Sequence, residues 1–543
     1  MAFLALPLPA QTAQNAGTTF TSSTELVLVP AVVNDKSGAH ISGLKKENFS
    51  LKQDGKPLPI AVFEEVQTTA ARLHRSVGEH GTFSNVEPSN IEPGSSDYHR
   101  LNIIIWDTVN TTIADQANAR IELLKFLSEA AESGEPMCLL ALTRGGLKLL
   151  HDFTDDPKLL AAALRHSQVN NAPMIDEPLI EPGQFPASNE LGFLERIVRD
   201  NLEVQAELSS AETKQAATIT VLALQQIAKG LRGLPGRKSL IWAGSGFPFS
   251  ATSPSDSTCE PGCADNASYT NLWRLLNDAQ ISIYPVDLRS AAPADAQTPG
   301  GVRPSDIGDR QFDTDAQAQR QRQDTDSMLQ LFAENTGGKA FLGGGNLVPS
   351  FRQATQDDSS YYMLGYYVGR SAKPGWHQIS LTVSRKGAHP RYRNGFFLSR
   401  DASAPSARQD IKLALTSPFD FLGVPISVTW SGRDAGTSAG KSTMKFDLVM
   451  PASFASVNES DQNHMVVDIA AVATNLNGDV VAELSQRIDS HLKSDGLEQI
   501  EHNGMTYRNG LQLPPGEYTV HFVVRDSIGN RTGSVAAPIK VAP

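Results

Sequence analysis

The residue types that can do chemistry gather first at Asp107. It ends the apolar run Ile103, Ile104, Ile105, Trp106, and Thr108, Asn110, Thr111 and Thr112 follow it. A carboxylate trailed by hydroxyls is a donor set for a hard divalent cation. The same residue types also cap helices and fix loops by hydrogen bonds, so Asp107, Asn110 and Thr111 have a structural reading beside the functional one. A second carboxylate, Asp287, closes the apolar stretch ISIYPVDLR. Ser245 lies in AGSGF, but a nucleophile elbow needs glycine at 243 and 247, where this chain has Ala243 and Phe247. Cys259 and Cys263 form CEPGC in a Ser/Pro/Asp-rich stretch. The Pro-Gly turn brings them close enough for a small disulfide, and no further Cys or His nearby completes a zinc set. Cys138, within the apolar PMCLLAL, reads as a buried, inert thiol.

Other signatures are absent. The 12 histidines include no HExxH spacing, there is no Walker A sequence, and no GxGxxG follows a strand. An enzyme therefore has to be argued from Asp107, Asp287 and Ser245 meeting in one pocket, with two acids or a Ser/His pair in reach.

The elements that must position these residues follow from hydropathy patterning. An all-apolar run bounded by polar residues suggests a strand buried on both faces, and ligands of open α/β sheets bind beyond the carboxyl ends of such strands. Between 100 and about 370 such strands alternate with helical stretches, which predicts βαβ units. The expected fold class is thus α/β, a doubly wound, mainly parallel sheet, with a small N-terminal β segment and a C-terminal all-β sandwich of immunoglobulin type. The expected divisions are a clipped signal or tail over 1–21, a β segment over 22–66 and a linker over 67–99. The α/β domain follows over 100–400, then a linker over 401–410 and the sandwich over 411–543, where IKLAL (411–415) reads as the first strand. Residues 290–325, poor in apolar side chains, read as a surface loop. The turns after Trp106, at 244 and at 287 should share one rim.

At 543 residues the chain is too long for one core. With 40% hydrophobic and 20% charged residues it has the composition of a globular protein, and a net charge of −12 with no Lys/Arg cluster argues against a nucleic-acid partner. No run of about 18 apolar residues predicts a transmembrane helix. The apolar MAFLALPLP followed by small residues reads as a secretory signal that lacks its basic start. With the CEPGC disulfide it points to an extracytoplasmic address: periplasm, cell envelope or secretion.

Several blocks in order carry a family resemblance. They are DKSG…GL…ENF…DGK…I…F over 29–63, IIIWDTVNT over 103–111, GRKSLIW…GFP over 237–248, AENTGGKAF over 333–341, YYMLGYYV over 361–368, and WHQISLTV…RYRNGFF. Together they resemble the von Willebrand factor A domain, and more closely the von Willebrand A-related family described from Acidobacteria. The resemblance covers about residues 24–400. It implies an adhesion-type domain that binds an unidentified protein at the carboxyl edge of its sheet, through a divalent cation held by an Asp-x-Ser-x-Ser loop, a Thr and a second Asp. Asp107 matches the first Asp and Thr111 the second Ser position; Val109 stands where the first Ser would be. Gly244-Ser245-Gly246 stands where the second Asp is expected, and Thr213 and Thr218 lie in a helical stretch. The site is therefore expected to be degenerate: Asp107 and Thr111 as the remaining ligands, at most a weakly held Mg²⁺, and a binding face of Asp107, Thr108, Asn110, Thr111, Ser245 and Asp287. The expectation is a non-enzymatic, extracytoplasmic protein-interaction protein. The alternatives are an extracytoplasmic hydrolase targeted by its sandwich, or a structural envelope component.

Overall fold

The structure, a computed structural model, describes residues 25–70, 81–85, 99–129, 136–167, 191–232, 234, 236–247, 266–289, 308–343, 347–369, 372–398, 407–436, 440–452 and 454–542. The expected signal over 1–21 and the Cys259–Cys263 disulfide lie outside them.

Strands β1 (Glu25–Asn34), β2 (Phe49–Gln53), β3 (Lys56–Leu58) and β4 (Val62–Gln67) come first, then the short β5 (Thr69–Ala70) and β6 (Thr82–Ser84). The central part runs β7 (His99–Asp107), α1 (Ile113–Glu129), β8 (Met137–Thr143), β9 (Gly146–Thr154), α2 (Pro157–His166), α3 (Leu191–Leu231) and β10 (Lys238–Gly244). It continues with α4 (Asn266–Asp278), β11 (Ile281–Asp287), α5 (Gly308–Thr336) and α6 (Val348–Gln356). Strands β12 (Ser360–Val368), β13 (Gly375–Val383), β14 (His389–Arg391) and β15 (Gly395–Leu398) precede α7 (Ala407–Leu415). The last part holds β16 (Ser427–Ala435), β17 (Ser442–Met450), β18 (His464–Asn475), β19 (Val480–His491), α8 (Ser494–Asn503), β20 (Met505–Leu513), β21 (Gly516–Asp526) and β22 (Arg531–Val541).

This architecture overturns the expected fold class. The chain is not a doubly wound, mainly parallel α/β protein: it is 45% strand and 28% helix, and its five sheets are mainly antiparallel. Among the described residues, parallel strand pairing is confined to one sheet, of order β11-β10-β7-β8-β9, with β5 added beside β7 and β9 antiparallel to β8. The strands expected to complete that sheet go elsewhere. β12 lies antiparallel between β1 and β4, while β13 lies between β15 and β2. Residues 25–67 and 360–398 thus build one two-sheet unit around Val29, Leu51, Tyr362, Leu364, Ile379 and Leu381. The physical reason is that β1 and β2 each leave an apolar face uncovered, and only partners from beyond residue 360 cover it; a few short strands cannot hold a core alone.

Other local expectations also change. IKLAL is the end of α7, not a strand, and α7 begins inside the expected linker. Its Ala, Arg, Gln, Lys and Leu residues are good helix formers, and Ala414 packs on Phe421 and Val523. α5 begins at Gly308, within the stretch read as a loop. The expected linker over 67–99 contributes β5 to the central sheet and β6 to the sheet β20-β17-β16-β6. That sheet and β19-β18-β21-β22 enclose Val428, Phe446, Val467, Ile469, Val520 and Phe522.

For the site, what matters is the central sheet. Strands β7, β8, β10 and β11 are buried on both faces. Ile103, Ile105, Leu240, Trp242 and Ile283 meet α3 and α4 residues such as Leu224 and Leu272. Ile104, Trp106, Ile241 and Tyr284 meet α1 and α6 residues such as Leu123 and Phe351. The carboxyl ends of β7, β10 and β11 therefore fall on one edge.

Candidate functional site at the carboxyl edge of the central sheet

Asp107 is the last residue of β7 and is fully buried. Its Oδ1 accepts the backbone N–H groups of Val109 and Asn110, both at 3.0 Å. Its Oδ2 accepts Asn110 Nδ2 at 2.8 Å and the indole Nε1 of Trp242 at 3.2 Å. Burial pushes the carboxyl up to about 6, against the opposing pull of the Asn110, Val109 and Trp242 donors. The helix-capping role goes instead to Thr112, whose Oγ1 accepts Asp115 N at 3.3 Å and donates to Asp115 Oδ2 at 2.9 Å.

The rest of the loop is pinned on all sides. Thr108 donates both its N–H and its hydroxyl to the Leu142 carbonyl of β8. Asn110 Nδ2 also donates to Thr220 Oγ1 of α3 at 3.1 Å. Gln116 Nε2 donates to the carbonyls of Thr108 and Thr111. Thr111 Oγ1 accepts Ser245 N at 3.1 Å, and Ser245 Oγ donates to Asp115 Oδ2 at 3.3 Å. Asp107 and Asn110 thus form one hydrogen-bonded group with Trp242 and Thr220, and Thr108, Thr111 and Ser245 another with Gln116 and Asp115; the loop backbone joins the two into one network.

Asp287 is on the same edge but outside that network. Register places Gly244 opposite Asp287, and Ala243 opposite Trp106. Asp107 and Asp287 are therefore two strand spacings apart, ~10 Å between backbones. Asp287 is held by Arg289, whose Nε and Nη2 donate to Oδ1 and Oδ2 at 2.9 and 2.8 Å, and Arg289 also pairs with Asp326 of α5.

The donor set does not fit a divalent cation at Asp107. Four N–H groups converge on its carboxylate, and none of them can ligate a cation. Val109 offers no side-chain oxygen, and a Cβ at Gly244, where a second acid is absent, would lie 2.9 Å from Asp107 Cβ. Nor is Ser245 set up as a relayed nucleophile: its hydroxyl's partner is a carboxylate, not an imidazole.

Sequence reasoning missed Trp242, Asp115, Gln116 and Thr220. Trp242 was legible as a strand residue, but its indole direction was not. Thr220, two residues past Thr218, belongs to a helix and carried no loop signal. A cavity of about 510 Å³ lies elsewhere, bordered by Glu334, Lys339, Arg391, Tyr392 and Asn394, and none of the expected site residues lines it.

No family model matches the chain, and no curated protein matches it. Among solved structures the chain is similar to an aerotolerance-related membrane protein from Bacteroides fragilis NCTC 9343. The identity is 11% and the TM-score 0.22, over 48% of this chain and 98% of that one. A likeness at that level carries no functional argument. No helix among the described residues is long and apolar enough to cross a membrane.

Proposed function

We propose that this chain is a non-enzymatic, extracytoplasmic protein-interaction protein of von Willebrand A type, whose adhesion site has been converted from a cation site into a hydrogen-bonded platform. The observation that carries the proposal is the saturation of Asp107 by Val109, Asn110 and Trp242. A carboxylate at the end of a central strand, supported from β8, β10, α1 and α3, fixes the shape of the edge that a partner would meet. It leaves that carboxylate no free lone pair for a metal or a reacting atom. The partner is a protein bound by the loops after β7 and β10, and binding needs no divalent cation.

The test pairs calorimetry with capture. Titration of the chain with Mg²⁺ and Mn²⁺ is expected to give no heat that depends on Asp107, and capture of a partner from envelope extract is expected to be the same with and without EDTA. A micromolar, Asp107-dependent signal, or capture abolished by EDTA, would overturn the cation-independent reading. Loss of capture on Ser245→Arg, with the fold intact by circular dichroism, would place the partner on this edge; unchanged capture would move it elsewhere.

A further inference from the structure

The start of β18 and the end of β19 carry the groups His464, Asp489 and His491, and Asp461 sits just before β18. His464 and His491 are directly opposed in the strand register, with parallel rings 4.6 Å apart at 9°. The chain reaches them through a tight return. Asn458 and His464 exchange backbone hydrogen bonds, and Gln462 and Asn463 both take left-handed conformations, with φ of 50° and 57°. Asn463 is in turn tied to Leu492, its O accepting Leu492 N at 3.1 Å. This closed turn holds Asp461 over the histidine pair: its Oδ2 lies 3.2 Å from His464 Nδ1 and its Oδ1 3.8 Å from His491 Nε2.

The proton positions follow from the partners. A carboxylate only accepts, so His464 Nε2, 2.8 Å from Asp489 Oδ1, carries a hydrogen. In the neutral ring Nδ1 then presents a lone pair to the Asp461 carboxylate, and something positive must sit between them. Either a second proton or a metal ion does this. The ligand atoms of Asp461, His464 and His491 all lie within 4.8 Å of one another. Tetrahedral zinc, with bonds of about 2.0–2.2 Å, needs ligand separations of about 3.3 Å, which these partly exposed side chains reach by small rotations.

We propose that Asp461, His464 and His491 form a site for a borderline divalent metal ion of the zinc class, with Asp489 orienting His464 from behind. Two imidazoles and one carboxylate suit Zn²⁺ better than Mg²⁺. The Asp489–His464–metal arrangement is the usual outer-shell support of a ligating histidine. Three protein ligands on a solvent-facing edge leave a fourth position open to water or to a side chain of a partner. The site is on the C-terminal sheet, in no contact with the Asp107 network, and stands or falls without the function proposed above. An imidazole must shed its proton to ligate, so proton and metal compete and metal affinity rises with pH.

The untagged full chain is titrated calorimetrically with ZnCl₂ and, separately, MgCl₂. One zinc is expected to bind with micromolar or better affinity, more tightly at pH 8 than at pH 6, with no heat from Mg²⁺. His491→Ala and Asp461→Asn should each weaken zinc by more than about tenfold, and Asp489→Asn by about 10–100-fold. These side chains are at the surface, and an unchanged thermal melt in zinc-free buffer confirms folding. Absence of binding at about millimolar zinc would overturn the proposal and leave a proton-bridged network. So would unaltered binding in the His464→Ala/His491→Ala double variant, since the zinc would then be held elsewhere.

Discussion

Asp107 is a buried acid whose surroundings were built for its hydrogen bonds. Removing it strands four N–H donors, so Asp107→Ala is expected to destabilise the chain by about 2–4 kcal/mol, read by urea unfolding. The pH dependence has a definite sign. The folded-state carboxyl titrates at about 6 against an ordinary 3.8. Its contribution is fully present below the ordinary value and is lost as pH rises through about 6, an effect of ~3 kcal/mol. Asp107→Asn should therefore flatten the stability-versus-pH curve between those values; an unchanged slope would show that another group is responsible. Gly244 belongs to the same argument. A Cβ there would press on Asp107 Cβ at 2.9 Å and on Trp242 Nε1 at 3.0 Å. Gly244→Ala should cost about 1–3 kcal/mol and shift Trp242 fluorescence, because the indole must move off Asp107.

Between elements, the decisive contact is the buried ion pair Arg237–Asp358. Arg237 immediately precedes β10 and Asp358 precedes β12, and they meet at 2.7 Å with both side chains fully buried. Arg237 Nη2 also donates to Tyr284 OH of β11 and to the Gly337 carbonyl after α5, so one guanidinium locks the central sheet to the turn that leads into the N-terminal two-sheet unit. The GRKSLIW block, legible in the sequence as a buried strand and as part of a family resemblance, thus has a mechanical role as well. Asp358→Ala removes the carboxylate that Arg237 contacts directly and leaves the buried guanidinium to Tyr284, Gly337 and the nearby charge of Asp357, and should cost about 3–5 kcal/mol in unfolding free energy. A change below 1 kcal/mol would mean that Tyr284 and Gly337 suffice. That this pair forms was not legible locally, because its members are 121 positions apart.

For the molecule as a whole, Asp410 of α7 joins two parts of the chain. Its Oδ1 accepts Lys229 Nζ of α3 at 2.6 Å, and its Oδ2 accepts Arg525 Nε of β21 at 3.0 Å. Phe419 and Phe421 press on Gly230 beside this bridge; a Cβ there would lie 2.5 Å from Phe419. Asp410→Ala removes the carboxylate shared by the half-buried Lys229 and the buried Arg525, and leaves Arg525 with the neutral acceptors Ser527 Oγ and Asn530 Oδ1. It is expected to split a shared thermal transition into two, one for the central sheet and one for the C-terminal sheets, by calorimetry; a single unsplit transition would show that apolar contact alone couples them.

Hydropathy and turn residues suffice to show that the chain has several cores, to place most of the apolar strands, though not IKLAL, and to end one of those strands at Asp107 with a polar turn. Those are local properties: hydropathy runs and turn residues depend on near neighbours, and burial follows from them. Long-range packing settled that residues 360–398 pair with 25–67, and that most sheets are antiparallel. It also decided that Trp242 and Thr220 fill the surroundings of Asp107, and that His464 meets His491. The reason is physical. Periodicity says which face of a strand is apolar, but not which distant strand covers it, and a side chain's hydrogen-bond partner is settled only when the backbones carrying both are packed.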